Sequence, residues 1–231
     1  MQRLFDIVFS GFALLALAPL LLPIMLMLRL TGEGEVFFRQ QRVGRGEKLF
    51  GLYKFASMLK DSPNLGTGTV TVKDDPRVLP LGRFLRKTKL NELPQLLNIL
   101  KGDMSIIGPR PQTRRCFDAF PTEAQREIGR VRPGLSGIGS IVFRDEERLM
   151  HASADPEHFY DTVIMPYKGQ LEMWYVAHQG LWTYFACIFV TAWVVVFPRS
   201  TLVWRAFRRL PPPPQDLACL RPEANQEPEA C

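Results

Sequence analysis

The chain has 231 residues, with 29 Lys and Arg against 23 Asp and Glu, a net charge of +6 and a sequence pI near 9.3. That length suits one domain with attachments, and the basic balance points to an anionic partner: nucleic acid, anionic lipid or a phosphorylated substrate. The cations crowd residues 29–115, between two apolar stretches, and neither zinc-finger spacing nor an aromatic RNA-binding signature occurs, so the sequence reads as no nucleic-acid binder.

Residues 7–28, IVFSGFALLALAPLLLPIMLML, carry no charge over 22 positions. At ~1.5 Å per residue a straight helix of that length reaches across a bilayer core. Pro19 and Pro23 oppose a straight crossing, because each removes a backbone donor and crowds the preceding turn; the helix should kink or break. Cations flank both ends: Arg3 before, then Arg29, Arg39, Arg42 and Arg45. Two readings fit. One is a re-entrant helix bent at Pro19 that leaves on the side it entered; the other is a kinked transmembrane helix. No small-residue cleavage site follows, which speaks against a signal peptide.

Residues 36–57 read as two strands about a turn at Val43-Gly44-Arg45-Gly46. Residues 62–75, rich in Gly, Thr and Pro, read as a mobile loop. Residues 79–89 set Leu81, Phe84 and Leu85 among Arg83, Arg86, Lys87 and Lys89. That is a basic amphipathic stretch suited to an anionic membrane surface, or simply a solvated basic face. Residues 92–101 form a helix with a predicted buried stripe of Leu93, Leu96, Leu97 and Leu100. Pro94 is tolerable only in its first turn, so the helix starts near Asn91.

Further along, residues 123–130 predict a short helix, residues 132–141 a Gly-punctuated loop or strand, and residues 156–176 a helix interrupted around Pro166. Residues 181–197, with Trp182, Tyr184 and Trp193, read as a membrane-dipping or surface helix, a second span being the alternative. After Arg209 the chain becomes a Pro-rich tail expected to be disordered. Cys116, Cys187, Cys219 and Cys231 show no Cys-x-x-Cys pairing and read as reduced thiols. His151, His158 and His178 form no ligand cluster.

The chemistry concentrates in residues 86–111, RKTKLNELPQLLNILKGDMSIIGPRP. Asn91 and Glu92 stand at a predicted helix start, where backbone N–H groups favour negative charge. Either residue could serve there as an ordinary cap or first-turn residue. Their neighbours suggest more. Arg86 precedes, and Gly108-Pro109-Arg110-Pro111 follows as a rigid turn that aims Arg110. Arginines around a carboxylate suit a diphosphate substrate, with Mg²⁺ neutralising the remaining charge.

These blocks, with RLFDIV, GEVFFRQQRVGR, LYKFASM, DDPRVLPLGRFL and VRPGLSGI in this order, resemble the bacterial sugar transferases, the monotopic polyprenyl-phosphate phosphoglycosyl transferases. The resemblance runs to about Phe197. It implies transfer of a phospho-sugar from a UDP-sugar to polyprenyl (undecaprenyl) phosphate, with release of UMP, as the first membrane step of polysaccharide or glycoconjugate assembly. It also implies Mg²⁺ dependence, a place at the cytoplasmic face of the bacterial inner membrane, and inner-membrane lipid and other glycan-assembly enzymes as partners.

Residue by residue, Glu92 matches the second member of the family's Asp-Glu dyad, and Asn91 stands where the nucleophilic Asp is usual. Asn91 and Glu92 become the metal-site candidates. Arg86 and Arg110 match phosphate-site arginines, and Lys54 and Arg132 fall in bordering motifs. Pro19 matches the proline of the re-entrant bend, but Ala18 replaces the Ser before it. Asn91 also opens an alternative, a catalytically impaired member acting as a membrane scaffold. The expected fold is α+β and mainly helical. It comprises a re-entrant hairpin at residues 1–30, a catalytic domain with a small β-hairpin and amphipathic interfacial helices at 31–180, an interfacial or membrane-dipping helix at 181–203 and a disordered tail at 204–231.

Overall fold

A computed structural model of the chain describes residues 1–64, 75–151, 155–198 and 200–221. Most of the central loop expected at 62–75, the tail beyond 221 with Cys231, and the side chain of His151 therefore lie outside the described residues. Among the described residues the fold is mainly helical with two small sheets, and the chain divides into two compact units that are not consecutive in sequence. One comprises Met1–Arg3, Arg42–Phe50 and Asp103–Cys231; the other comprises Leu4–Gln41 and Gly51–Gly102. They are called the C-terminal and N-terminal units below.

Helix α1 (Gln2–Leu30) dominates the N-terminal unit. It is 29 residues long with a mean hydropathy of 2.4 in its most apolar window, enough by length and composition to cross a membrane. It runs through Pro19 and Pro23 as one helical element, so of the expected kink or break at Pro19 the break does not occur. Each proline removes only one N–H bond, and the helix retains bonds on both sides. Leu21, Ile24 and Leu28 on its C-terminal half bury against Phe55 and Leu85, while Leu4, Phe12, Leu15, Leu22 and Leu26 are exposed.

Strands β1 (Phe37–Val43) and β2 (Leu49–Phe55) form the expected hairpin around a 3-10 turn at Arg45–Glu47. Gly46 and Glu47 adopt left-handed φ values of 67° and 57° to close it, and the Gly44 N–H bonds Lys48 O at 2.9 Å. Helix α2 (Pro80–Lys87) begins with Pro at its first position and buries Leu85 fully, leaving Arg83, Phe84 and Lys87 exposed. The buried Arg77 guanidinium clasps Asp75 with two bonds, 2.9 and 2.6 Å, and reaches Ser62 O at 2.7 Å, tying the start of α2 to the chain before the loop.

Helix α3 (Gln95–Lys101) corrects the sequence reading twice. It starts at Gln95, not near Asn91, and is preceded by a 3-10 turn at Leu90–Glu92. Pro94 has no N–H to return to Leu90 O, so Leu93 N–H takes that acceptor at 3.2 Å and the chain stays in the tighter winding. The buried face is also more polar than the leucine spacing predicts: Gln95, Leu96, Asn98 and Ile99 are buried, while Leu93, Leu97 and Leu100 are half-buried. Asn98 explains the rotation. Its Oδ1 accepts the Tyr53 N–H at 2.9 Å and its Nδ2 donates to Gly51 O at 2.8 Å, so the carboxamide pairs with β2 as a neighbouring strand would.

In the C-terminal unit, strands β3 (Ser105–Ile107) and β4 (Gly134–Ser136) pair in parallel, Ser105 opposite Gly134 and Ile107 opposite Ser136. Between them lie α4 (Arg114–Asp118), capped by the Thr113 hydroxyl, and α5 (Thr122–Gly129). Short helices α6 (Ile138–Val142), α7 (Glu146–His151) and α8 (Pro156–Phe159) follow. A π-helical turn at Tyr160–Ile164 then leads into α9 (Met165–Ala177), which explains the interruption expected near Pro166: the proline sits in the first turn of α9. Val43, Phe117, Phe120, Ala124, Ile128 and Met165 form the core here.

Helix α10 (Leu181–Val196) buries Thr183, Tyr184, Cys187, Val190 and Val194 and exposes Trp182, Phe185, Phe189, Trp193 and Val196. Its 16 residues span ~24 Å, short of the ~30 Å bilayer core, so it is too short for a straight second span. Residues 204–221, expected to be disordered, are packed instead. Helix α11 (Leu202–Ala206) and a 3-10 helix at Gln215–Leu220 bury Phe207, Leu210 and Leu217, and the Trp204 Nε1–H donates to Leu220 O at 2.9 Å. Cys116 and Cys187 are free thiols, as read from the sequence.

Candidate active site

The structure distributes the sequence-predicted residues between the units. Lys54, Arg86, Asn91 and Glu92 lie in the N-terminal unit, and Arg110 and Arg132 in the C-terminal one.

In the N-terminal unit α2 ends at Lys87, and Lys89 turns the chain through a left-handed conformation, φ 59° and ψ 9°. That reversal sets Arg86, on the last turn of α2, directly before the 3-10 turn bearing Asn91 and Glu92. The turn is anchored from below: Leu90 and Leu93 pack on the cluster of Leu21, Ile24, Leu28, Phe55 and Leu85. Arg86 is half-buried, with Nη1 3.5 Å from Met58 Sδ. Lys54, on β2, reaches Gln40 Oε1 at 3.4 Å, and the Asn98 bonds hold α3 against the same strand.

Asn91 does not cap the helix as the sequence allowed. It is 7% exposed, and its Oδ1 is buried without a hydrogen-bond partner. A buried amide oxygen left unpaired is uncommon and asks for a missing donor or cation. Glu92, next to it, is half-buried. A neutral oxygen and a carboxylate on adjacent residues fit Mg²⁺, a hard cation that takes oxygen ligands, keeps several waters and draws further ligands from substrate phosphates. Among the described residues no group of three or more His, Cys, Asp or Glu offers an all-protein metal cage. His178, stacked on Trp174 at 4.3 Å, and His158, in α8, are ordinary structural residues.

In the C-terminal unit the GPRP and RPGLSG stretches form one interlocked piece. Gly108 N–H bonds Ser136 O at 2.9 Å, and Gly134 N–H bonds Pro109 O at 2.8 Å. The backbones come so close that a Cβ on Gly134 would lie 2.1 Å from Gly108 N. Only glycine fits there, which is why both motifs need their glycines. Arg110 is thus one residue from a hydrogen bond whose other end is two residues from Arg132. Both arginines are half-buried, and Pro109 and Pro111 on either side of Arg110 are buried.

The profile of the bacterial sugar transferase family matches residues 1–198. The chain belongs to the bacterial sugar transferase family. Among similar proteins is the UDP-N-acetylgalactosamine-undecaprenyl-phosphate N-acetylgalactosaminephosphotransferase of Aeromonas hydrophila, 36% identical over 192 residues, covering 82% of this chain and 42% of that protein. The undecaprenyl-phosphate galactose phosphotransferase of Salmonella typhimurium is 35% identical over 211 residues, 85% of this chain and 40% of its own length. The exopolysaccharide production protein PSS of Rhizobium leguminosarum bv. phaseoli is 47% identical over 148 residues, 61% of this chain and 73% of its own length. The chain therefore spans about two fifths of the first two relatives.

Sequence reasoning missed several buried charged residues, among them the Arg77–Asp75 pair and Glu172. The Arg77–Asp75 clasp lies inside the DDPR block, whose adjacent opposite charges were the available signal. Glu172, on α9, is 1% exposed and its pKa is pushed up to about 7 by burial, against the opposing influence of Lys168 and the Arg110 backbone N–H. Nothing in its sequence surroundings marks it, because the groups around it come from distant segments.

Proposed function

We propose that the protein transfers a phospho-sugar from a UDP-sugar to polyprenyl phosphate at a membrane and releases UMP, so starting the assembly of a polysaccharide or glycoconjugate. The observation that carries this reading is the family match over residues 1–198, joined to relatives named as phosphotransferases to undecaprenyl phosphate. In this reading the phosphate-binding arginines are Arg86 in the N-terminal unit and Arg110 in the C-terminal unit, each able to bind phosphate oxygens with forked hydrogen bonds, and Lys54 and Arg132 are the further cations of their own units. Asn91 Oδ1 and Glu92 would hold Mg²⁺, which when bound neutralises phosphate charge.

Asn91 cannot act as a carboxylate nucleophile, since its nitrogen lone pair is delocalised and its oxygen is neutral. The lipid phosphate is itself an anionic oxygen nucleophile. Its oxygen attacks the sugar-bearing phosphorus, a new P–O bond forms, and the bond to the UMP oxygen breaks with its electron pair leaving on UMP. Glu92 positions the incoming phosphate and accepts its proton where one is present. Helix α1 anchors the protein in the cytoplasmic face of the inner membrane, entering and leaving on one side, and the exposed apolar face of α10 lies in the interface. Purified protein incubated with a panel of labelled UDP-sugars and undecaprenyl phosphate should carry label into the lipid phase. Label remaining aqueous with every sugar, while UDP binds, would contradict catalysis.

A further inference from the structure

Residues 200–221 lie beyond the part of the chain that the family profile matches, so membership of the family does not account for them. They are nevertheless built into the C-terminal unit. Val203, Phe207, Leu210 and Leu217 are buried, and the Tyr167 hydroxyl donates to Pro211 O at 2.9 Å. The segment holds four arginines, Arg205, Arg208, Arg209 and Arg221, against one acidic residue, Asp216.

The packing decides where these arginines point. Phe207 N–H bonds Val203 O at 3.0 Å, and Leu210 N–H bonds Phe207 O at 3.1 Å. The second bond closes a four-residue turn with Arg208 and Arg209 at its centre. Both flanking residues, Phe207 and Leu210, are buried, so the turn presents its two arginines outward. Arg205, two positions after buried Val203 on α11, is exposed as well. Among the described residues no ion pair or hydrogen bond engages the guanidinium groups of Arg205, Arg208 and Arg209. The Arg221 guanidinium lies 5.7 Å from the centre of the Trp204 ring, on the residue next to Arg205.

Helix α10 runs directly into this segment. Trp193 Nε1–H donates to Ser200 Oγ at 3.0 Å, and Leu202 N–H bonds the same oxygen at 3.2 Å, which ties the end of α10 to the start of α11. Trp193, Val195, Val196 and Phe197 are exposed at that end. Arginines alone suit any polyanion. Aliphatic side chains exposed on the adjoining turn ask for hydrocarbon beside the phosphate, and an anionic bilayer surface offers both.

We propose that Arg205, Arg208 and Arg209 form a binding surface for anionic lipid headgroups, with Trp193, Val196 and Phe197 seated in the adjoining acyl boundary. The guanidinium groups take headgroup phosphates in a forked geometry, and the turn at residues 207–210 holds two of them side by side. This rests on the reading that the exposed face of α10 lies in the membrane interface.

The test uses the full chain reconstituted in phosphatidylcholine vesicles. A trace of spin-labelled phosphatidylglycerol or spin-labelled phosphatidylcholine is added, and the motionally restricted fraction of each is read by electron paramagnetic resonance. Wild type should hold the phosphatidylglycerol label about threefold or more over the phosphatidylcholine label, and salt should weaken the preference. Arg205→Gln/Arg208→Gln/Arg209→Gln, shown to be folded by a thermal melt, should lose about half or more of it. No preference in wild type, or the wild-type preference in the triple variant, overturns the proposal. Displacement of the phosphatidylglycerol label by single-stranded oligonucleotide overturns it in favour of nucleic acid. Brominated phosphatidylcholine should quench the tryptophan fluorescence of wild type by a larger fraction than that of Trp182→Phe/Trp193→Phe. Equal quenching removes α10 from the interface, and this inference with it. Transfer activity enters none of these readouts, so a failure of phospho-sugar transfer is distinguished from a failure of the lipid surface.

Discussion

Asn91 and Glu92 carry the chemical question at the scale of single residues. Asn91 Oδ1 is buried and unpaired, yet the side chain is neutral. Its oxygen suits a cation; it does not suit attack on phosphorus. Activity should therefore depend on Glu92. Glu92→Gln is expected to lower the rate of UMP release by about 10²-fold or more, the usual effect of losing a positioned acid–base group. Asn91→Asp restores a carboxylate at the position and is expected to add a burst of UMP in the absence of lipid phosphate, which direct transfer does not predict for wild type. A wild-type enzyme that itself bursts, with phospho-sugar trapped on Glu92, would establish a covalent route instead.

Glu172 makes a pH prediction at the same scale. Burial raises its pKa from the ordinary carboxylate value of 4.5 to about 7. Between those values the folded state holds a proton that the unfolded chain has lost, so this group's contribution lowers stability as pH rises from about 4.5 to 7. Lys168 opposes that shift, and the buried Cys187 thiol is a titratable group that feels the Glu172 carboxyl. The denaturation midpoint of wild type should fall between pH 5 and pH 8 by more than that of Glu172→Gln, which has no proton to lose. Equal pH slopes in the two proteins would remove Glu172 as the cause.

At the scale of elements, the parallel β3–β4 pair is the most constrained piece. Gly134→Ala places a Cβ 2.1 Å from Gly108 N, backbone against backbone, with no flexible side chain to yield. The expected cost is about 1–3 kcal/mol or more, together with loss of UDP binding, because the strands must part and carry Arg110 with them. A folded Gly134→Ala enzyme of full activity would contradict the interlock. Helix α1 gives a second element-level expectation. Single cysteines placed at Gln2 and at Lys48, in a background without the native thiols, should react with the same side-restricted reagent if α1 enters and leaves on one face. Labelling from opposite faces would establish a true span. The helix is continuous through Pro19 and Pro23, so such a hairpin has to form by bending within intact helical winding rather than at a broken turn.

At the scale of the whole molecule, periodicity and punctuation account for what could be read in advance. The hairpin at residues 37–55 follows from its Gly-containing turn, α5 from Pro121-Thr122 and the interruption before α9 from Pro166. The leucine spacing in α3 misled because Asn98 docks on β2 and turns the helix, an effect that exists only once the strand is beside it. The tail at 204–221 looked disordered by composition, yet Phe207, Leu210 and Leu217 suffice to pack it down. For the candidate site, residues 86–111 stood out from the residues themselves, Lys54 and Arg132 entered only through the family resemblance, and the backbone geometry added why GPRP and RPGLSG belong together. The Glu172 carboxyl stayed hidden because Gly139 and Glu172 meet only through tertiary folding.

One measurement tests the account most directly: pre-steady-state UMP release by the purified wild-type protein from its cognate UDP-sugar, with and without undecaprenyl phosphate. Direct transfer predicts steady UMP release only when lipid phosphate is present, with no stoichiometric burst in its absence, and abolition by Glu92→Gln. Wild-type protein that binds UDP-sugar but releases no UMP under either condition, while Asn91→Asp does, would contradict the assignment of this chain as an active transferase.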